Sequence, residues 1–220
     1  WAISLYYKFI MSIEIKRTVK PIEYDEAIRL LEKRLENIIN NSGRELIWFL
    51  EHNDIFTAGT SFKKTEILDN SINLVKTTRG GKITFHSPGQ LICYFVLDLK
   101  KRNKDIRKFI ISIENSIIDT FKEFNILTNS DRKNIGIWIN HNNELKKIAA
   151  IGIRVRRWVA YHGFSININN NLDNFSKIIP CGIKDRKIIR LKDFSNVKYS
   201  EFSEVLEKKL IKNLSVLNYF

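Results

Sequence analysis

The chain has 220 residues, of which 44% are hydrophobic and 28% are charged. This length and composition are enough to bury one full core and predict a single catalytic domain over residues 1–220. No stretch of eighteen apolar residues occurs, so no transmembrane helix is expected. Cys93 and Cys181 give no disulfide framework and favour a reducing, cytoplasmic compartment. The four histidines lie too far apart in sequence for zinc-ligand spacing, and we expect no metal.

The net charge of +13 has two interpretations. A basic surface attracts acidic partners such as nucleic acid, anionic membrane or an acidic protein. The lysines are spread along the whole chain, however, and the excess also fits a composition rich in lysine, asparagine and isoleucine. The sequence leaves both interpretations open.

Residues 1–10 are apolar, but they lack the basic start and the small-residue cleavage site of a secretory signal. Met11 is the only methionine. We hypothesise that translation starts there and that residues 1–10 are a dispensable extension.

The first half of the chain predicts strands and one clear helix. Residues 12–19 alternate as a strand, and apolar runs at 45–50 and 72–77 are typical of buried strands. Between the first two, apolar residues recur at helical spacing after Pro21: Tyr24, Ile28, Leu31, Leu35 and Ile38. Ile83–Phe85 and Leu91–Leu99 are predicted strands on either side of a turn at residues 87–89.

The second half begins with a long amphipathic helix from Ile106 to Phe124. Strands are predicted at 135–139, 148–155 and 160–168, and a short helix at 172–177. A last helix is predicted after Ser200 as its N-cap, burying the following residues: Phe202, Val205, Leu206, Leu210 and Leu214. Strands and helices mix without regular βαβ alternation, which predicts an α+β fold with a mixed, largely antiparallel sheet.

Cys181 lies between Pro180 and Gly182, residue types typical of a rigid turn. A thiol with a pKa near 8.5 is mostly protonated at pH 7, so a nucleophilic cysteine needs a cation or base nearby. Cys93 lies in the apolar run 91–97 and is interpreted as a packed core residue.

A lysine is the natural partner for such a thiol, because an ammonium stabilises a thiolate and a desolvated amine accepts a proton. Lys146 and Lys147 precede a segment ending at Gly152, and the residue types alone do not separate them. Arg154 and Arg156 alternate on a predicted strand and are either a solvated face or a docking site for a phosphate or an acidic carrier.

Three segments together resemble the lipoyl(octanoyl) transferase family: Arg79-Gly80-Gly81-Lys82-Ile83-Thr84-Phe85-His86-Ser87-Pro88-Gly89-Gln90, Lys147-Ile148-Ala149-Ala150-Ile151-Gly152 and Pro180-Cys181-Gly182. The segment His52–Gly59 is similar as well, and the resemblance runs from about Ile13 to beyond Ile183. It implies a fold like the catalytic domains of biotin and lipoate-protein ligases. Ser87 and Phe95 depart from the glycine and proline that are common at these positions in the family.

Carried over by position, the resemblance implies that Cys181 is the acyl-thioester nucleophile and that Lys147 lowers its pKa and shuttles its proton. It also implies a set of substrate-binding residues: Arg79, Gly80, Gly81, Lys82, Ile83, Thr84, Phe85, His86, Ala150, Ile151, Gly152, Gly163, Phe164 and Ser165. For His86 a structural role in the site wall and direct ligand contact are equally compatible with the sequence.

The implied reaction moves an octanoyl group from octanoyl-acyl carrier protein to the target lysine of lipoyl domains, in 2-oxoacid dehydrogenase complexes and in glycine-cleavage H protein. It needs no cofactor, because the acyl group arrives on the carrier's phosphopantetheine, and no nucleic acid or membrane partner is implied. Three alternatives are an ATP-dependent lipoate- or biotin-protein ligase of the same fold, a basic nucleic-acid-binding module, and a non-catalytic scaffold.

Overall fold

The computed structural model of the chain describes residues 13–182 and 187–217, with the main chain only at Cys181. The hypothesis about residues 1–10 falls outside the described residues. The described part contains ten strands, which are β1 (Ile13–Arg17), β2 (Glu45–Leu50), β3 (Ile55–Ala58), β4 (Leu74–Lys76), β5 (Ile83–His86), β6 (Gln90–Asp98), β7 (Asn129–Ser130), β8 (Ile137–His141), β9 (Glu144–Arg156) and β10 (Val159–Asn167).

The strands form a seven-stranded sheet of order β1-β2-β6-β10-β9-β8-β7 and a three-stranded sheet of order β4-β3-β5. Only β1–β2 in the large sheet and β3–β4 in the small one pair in parallel, and the other described pairs are antiparallel. The prediction of a mixed, largely antiparallel sheet in an α+β fold is therefore confirmed.

Three α-helices cover the large sheet: α1 (Tyr24–Ile39), α2 (Ile106–Glu123) and α3 (Tyr199–Val216). Strand alternation decides which side chain meets which helix. On β2, Trp48 belongs to the cluster buried under α1, whereas Ile47 and Phe49 belong to the cluster buried under α2 and α3. Among the described residues, the helices are too short or too polar to cross a lipid bilayer.

Helix α3 begins two residues earlier than predicted, so the assignment of Ser200 as its N-cap is wrong. Lys198 is the N-cap residue, with an extended backbone and no side-chain cap. The Phe202 amide donates to the Lys198 carbonyl at 3.0 Å, which places Ser200 inside the first turn. The sequence signal of a capping serine was overridden by the backbone hydrogen bond that starts the helix.

Two segments outside the large sheet are fastened close to it. The loop between β4 and β5 lies against β9, since a Cβ added at Gly80 would be 2.6 Å from the Ile153 carbonyl oxygen. The segment before Pro180 is held by the loop after β3: the Ile179 amide donates to the Glu66 carbonyl at 2.7 Å, and the Leu68 amide to the Lys177 carbonyl at 2.9 Å. These two segments enclose one region of the sheet surface.

Candidate active site

A cavity of about 410 Å³ lies between the β4–β5 loop, the middle of β9 and β10, and the turn at Gly182. A volume of this order is typical of a small-molecule binding site. Most of the predicted site residues line it: Arg79, Gly80, Gly81, Lys82, Ile83, Thr84, His86, Lys147, Ala150, Ile151, Gly152, Gly163, Phe164 and Ser165. The structure thus brings together three segments that are distant in sequence.

Phe85 is the exception among the predicted substrate-binding residues. Its ring packs against Phe56 at 4.8 Å and Phe175 at 5.8 Å, between ring centroids. Thr84 and His86 line the cavity because neighbouring side chains of β5 point to opposite faces. Phe85 is not among the residues that line this cavity, and its place among the substrate-binding residues stays a prediction.

Lys147 is buried, with only 3% of its surface exposed, and lies on β9. Its Nζ donates a hydrogen bond to the Ile135 carbonyl at 3.0 Å and lies 4.7 Å from the centre of the Trp138 ring. Lys146 points elsewhere and pairs with Glu144 at 3.1 Å. The structure therefore separates the two adjacent lysines, and it is Lys147 that reaches the cavity.

Gly136 makes room for the Lys147 side chain. Its φ of +142° lies in the region that favours glycine. A Cβ at this position would be 3.0 Å from Lys147 Cε, 3.1 Å from Lys147 Nζ and 2.7 Å from the Ala149 carbonyl oxygen. A larger residue would therefore displace the ammonium or the strand beside it.

The turn that carries Cys181 is a 3-10 helix over Pro180–Gly182, closed by the Gly182 amide donating to the Ile179 carbonyl at 3.0 Å. Gly182 borders the cavity that Lys147 also lines. Pro180 and Lys147 both border a smaller void of about 10 Å³. Pro180 thus lies close to Lys147 and Gly182 borders the same cavity, while the Cys181 side chain itself is outside the described part of the structure.

A second lysine lies beside the same turn. Lys82 Nζ is 3.1 Å from Glu66 Oε1, and Glu66 is buried. A Cβ at Gly182, where φ is +67°, would lie 2.2 Å from Lys82 Nζ. The ion pair therefore lies against the far side of the cysteine turn, where the positive φ favours glycine.

His86 forms a rigid, neutral part of the cavity wall. Its Nδ1–H donates to Gln90 Oε1 at 2.6 Å, because Gln90 Nε2 is committed to Asn167 Oδ1 at 2.8 Å. Burial, followed by the neighbouring His52 ring and the Arg79 guanidinium, lowers the pKa of His86 to about 3. At neutral pH its Nε2 therefore carries a lone pair, not a proton.

His162 lines the cavity in an unusual backbone conformation for a strand residue, with φ +68°. Its Nε2 contacts Thr78 Oγ1 at 3.2 Å, whereas its Nδ1 has no hydrogen-bond partner among the described residues. Burial, together with Arg79 and Arg154, lowers its pKa to about 3. Strained, buried polar residues of this kind are concentrated at functional sites.

Arg79 ties the loop to the strands around the cavity. Its Nη2 donates to the Thr57 carbonyl and hydroxyl at 2.8 and 2.9 Å, and its Nη1 to the Gly80 carbonyl at 3.1 Å. Glycine is needed beside it, since a Cβ at Gly59 would lie 2.8 Å from Nη1 and one at Gly152 3.3 Å from Arg79 Cδ. The glycines of the predicted motif therefore allow the loop to approach the sheet.

Cys93 is completely buried in the core under α2 and α3. Burial raises the pKa of its thiol well above the ordinary value, which suppresses the reactive thiolate. The interpretation of Cys93 as a packed core residue is confirmed.

Four residues of this region were not anticipated from the sequence. Tyr94 and His162 line the cavity, whereas Gly136 and Trp138 lie beside the Lys147 side chain. Trp138 was inside a predicted strand, but only the pairing of β8 with β9 brings it to Lys147. Gly136 had a detectable signal, since a glycine inside an otherwise apolar strand pattern often marks a bulge or a close approach. The register shift at Ile137 and Trp138 is such an irregularity.

The chain is similar to known proteins over most of its length. The family model of the lipoyl protein ligase A/B catalytic domain matches residues 23–211. The octanoyltransferase of Ehrlichia chaffeensis is 44% identical over 94% of this chain and 98% of its own length. The octanoyltransferase of Wolbachia pipientis wMel is 42% identical over 87% of this chain and 94% of its own.

Among solved structures, lipoate-protein ligase A bound with ATP superposes with a TM-score of 0.69 over 91% of this chain and 85% of its own, at 16% identity, which shows a shared fold. The two octanoyltransferases cover nearly the whole chain at well over 30% identity. The chain belongs to the octanoyltransferase family and is an acyltransferase of protein lipoylation.

Proposed function

We propose that this acyltransferase moves the octanoyl group from octanoyl-acyl carrier protein to the target lysine of lipoyl domains through a thioester on Cys181. The observation that carries the proposal is the position of the Lys147 ammonium. Lys147 lines the cavity that Gly182 also borders and the small void that Pro180 also borders. A positive charge beside a cysteine turn is the arrangement that activates a thiol.

In the first half-reaction, the Cys181 thiolate, stabilised by the Lys147 ammonium, attacks the carbonyl carbon of the octanoyl thioester. The bond between that carbon and the carrier's sulfur breaks. The departing phosphopantetheine thiolate takes a proton from the Lys147 ammonium, which is left as a neutral amine. Lys147 thus acts as the proton shuttle and stabilises whichever thiolate is present.

In the second half-reaction, the amine of the target lysine attacks the thioester carbonyl carbon. An amide bond forms, the bond to the Cys181 sulfur breaks, and the neutral Lys147 takes the proton that the amine loses, which restores the pair of Cys181 thiolate and Lys147 ammonium. An amide is more stable than a thioester, so the reaction proceeds without ATP, metal or cofactor.

The apolar part of the cavity suits the acyl chain. It contains a set of aliphatic and aromatic residues: Ile83, Ile92, Ile110, Ile151, Ile153 and Phe164. Each buried methylene is worth about 0.8 kcal/mol, so six methylenes contribute about 5 kcal/mol of selectivity over a very short acyl group. Chain length is thus selected by burial without polar recognition.

The acceptors in this proposal are the lipoyl domains of 2-oxoacid dehydrogenase complexes and glycine-cleavage H protein, with the reaction in the cytoplasm. A net charge of +13 favours encounter with acidic carrier and lipoyl domains. This gives the excess charge a role in protein recognition.

The proposal is tested by incubating the protein with octanoyl-acyl carrier protein and an isolated lipoyl domain, with and without ATP. The mass of the lipoyl domain is then measured by mass spectrometry over time. We expect one octanoyl group on the target lysine, formed at the same rate with and without ATP. Modification that requires ATP and free octanoate would establish a ligase and contradict the proposal.

A further inference from the structure

A second, basic concavity borders the cavity at Thr78. It is a groove of about 590 Å³ between α1 and the end of β9, lined by four cations (Arg29, Lys33, Arg154 and Arg156) together with two glutamates (Glu32 and Glu36). The cations outnumber the carboxylates, so the groove favours an anionic ligand.

The groove and the cavity share a wall. The Arg154 Nη1 donates to the Thr78 carbonyl at 3.0 Å, and the Thr78 hydroxyl contacts His162 Nε2 at 3.2 Å. His162 lines the cavity, and so does Arg79, which follows Thr78 in the chain. A ligand that lies in the groove is therefore separated from the cavity by Thr78. This arrangement suits a substrate with an anionic end and a reactive end.

The two arginines of β9 differ in their surroundings. Arg156 pairs with Glu36 at 2.6 Å, and the side chains of both are about half exposed (49% and 48%). Such an exposed pair is weak and can exchange its partner for a carboxylate of another protein. Arg154 forms no ion pair within residues 13–182 and 187–217 and presents further guanidinium donors to the groove. Arginine is well suited to bidentate contact with phosphate.

We propose that this groove is the docking site for the acyl donor, with Arg154 binding the phosphodiester of its phosphopantetheine arm and Arg29, Lys33 and Arg156 facing the acidic surface of the carrier protein. This inference rests on the proposed function and adds where the donor binds. The lipoyl domain, which supplies a lysine and carries no phosphodiester, docks elsewhere.

The experiment compares three octanoyl donors in single-turnover acylation: octanoyl-acyl carrier protein, octanoyl-phosphopantetheine and octanoyl-pantetheine, which lacks the phosphate. The variants are Arg154→Glu and Arg154→Lys. Lys208→Glu is the matched control, because Lys208 is an exposed lysine of α3, on the opposite side of the sheet. Thermal melting shows whether each variant is folded.

For Arg154→Glu we expect the half-saturating concentration of the two phosphate-bearing donors to rise about tenfold, the loss of one charge-assisted contact. Octanoyl-pantetheine and the transfer step to a lipoyl domain are expected to be unchanged. Arg154→Lys keeps the charge without the bidentate fork and is expected to lose less affinity than Arg154→Glu, and Lys208→Glu is expected to match the wild type.

Three results would overturn the groove assignment. An equal rise in the half-saturating concentration of all three donors would show that Arg154 supports the cavity through Thr78. Unchanged donor saturation would show that the groove is not used, and a loss confined to transfer would make it the acceptor's site. By contrast, a wild type that none of the donors acylates would refute the proposed function itself.

Discussion

The Lys147 ammonium is held by two neutral groups, the Ile135 carbonyl at 3.0 Å and the Trp138 ring, whose centre is 4.7 Å away. Within the described ranges no carboxylate forms an ion pair with it. A carboxylate would cancel most of the field that the ammonium exerts on a nearby thiolate. Holding the lysine by a carbonyl and an aromatic face fixes its position and leaves its charge available for chemistry.

Trp138 is therefore expected to position Lys147. Trp138→Leu removes the aromatic face, and we expect Cys181 acylation to slow about five- to tenfold, equivalent to about 1 kcal/mol of cation–π interaction. Trp138→Phe keeps a ring and should lose less. Both variants lose the Nε1–H donation to the Asn134 carbonyl, so a purely structural role predicts equal losses in rate. Quenched time courses of Cys181 acylation, together with melting curves, distinguish positioning of Lys147 from a purely structural role.

Gly136→Ala is expected to slow acylation about 10–100-fold, because the new Cβ would lie 3.1 Å from Lys147 Nζ and the catalytic geometry would shift. The φ of +142° adds strain of about 1–3 kcal/mol to the folded state. The matched control is Gly43→Ala, whose Cβ would lie 2.9 Å from Asn37 Cβ at the end of α1. Gly43→Ala should reduce the stability of the protein without slowing acylation. Equal losses of acylation rate in the two variants would contradict this account.

The Lys82–Glu66 pair should stabilise the cysteine turn. Lys82→Met leaves the buried Glu66 carboxylate without its cation, and we expect the free energy of unfolding to fall by about 1–3 kcal/mol. The double variant Lys82→Met/Glu66→Gln should recover part of that loss. Denaturant unfolding of the single and double variants measures the coupling, and strictly additive losses would show that the pair is not coupled.

Stability should fall in acid because of the buried histidines. Burial lowers the pKa of His52 to about 4 and that of His86 to about 3, whereas both titrate near 6.5 in the unfolded chain. The unfolded chain therefore binds more protons between pH 6.5 and these values, and each histidine costs about 1.4 kcal/mol of stability per pH unit within that window. Unfolding free energies measured from pH 7 to 5 should show a shallower slope in His52→Gln than in the wild type, and parallel slopes would contradict the assignment.

The sequence predicts the helices and central strands because their periodicity is strong. The spacing from Tyr24 to Ile38 and from Ile106 to Phe124 matches α1 and α2 closely. The short strands β3 and β7 were not predicted, since two to four residues carry too little pattern to be recognised. The start of α3 was misplaced because Ser200 resembles a cap, and a backbone hydrogen bond outweighed that signal.

At the site, the motif residues could be identified because they are consecutive, but their directions depend on tertiary pairing. Phe85 lies between two cavity residues and points away from them, a consequence of strand alternation on β5. Lys147 could not be distinguished from Lys146 by residue type, and the pairing of β9 with β8 decides between them. Trp138 was missed since its importance arises only from contact with Lys147. The glycine at position 136 signals a close approach, but only the structure shows that the approaching side chain is Lys147.

The most direct test of the central claim is intact mass spectrometry of the protein after mixing with octanoyl-acyl carrier protein. We predict one octanoyl adduct that hydroxylamine removes, that is absent in Cys181→Ala, and that forms at least about 100-fold more slowly in Lys147→Met, the loss expected for a general acid–base group. A wild type without an adduct, or an adduct that persists in Cys181→Ala, would contradict a thioester intermediate on this cysteine.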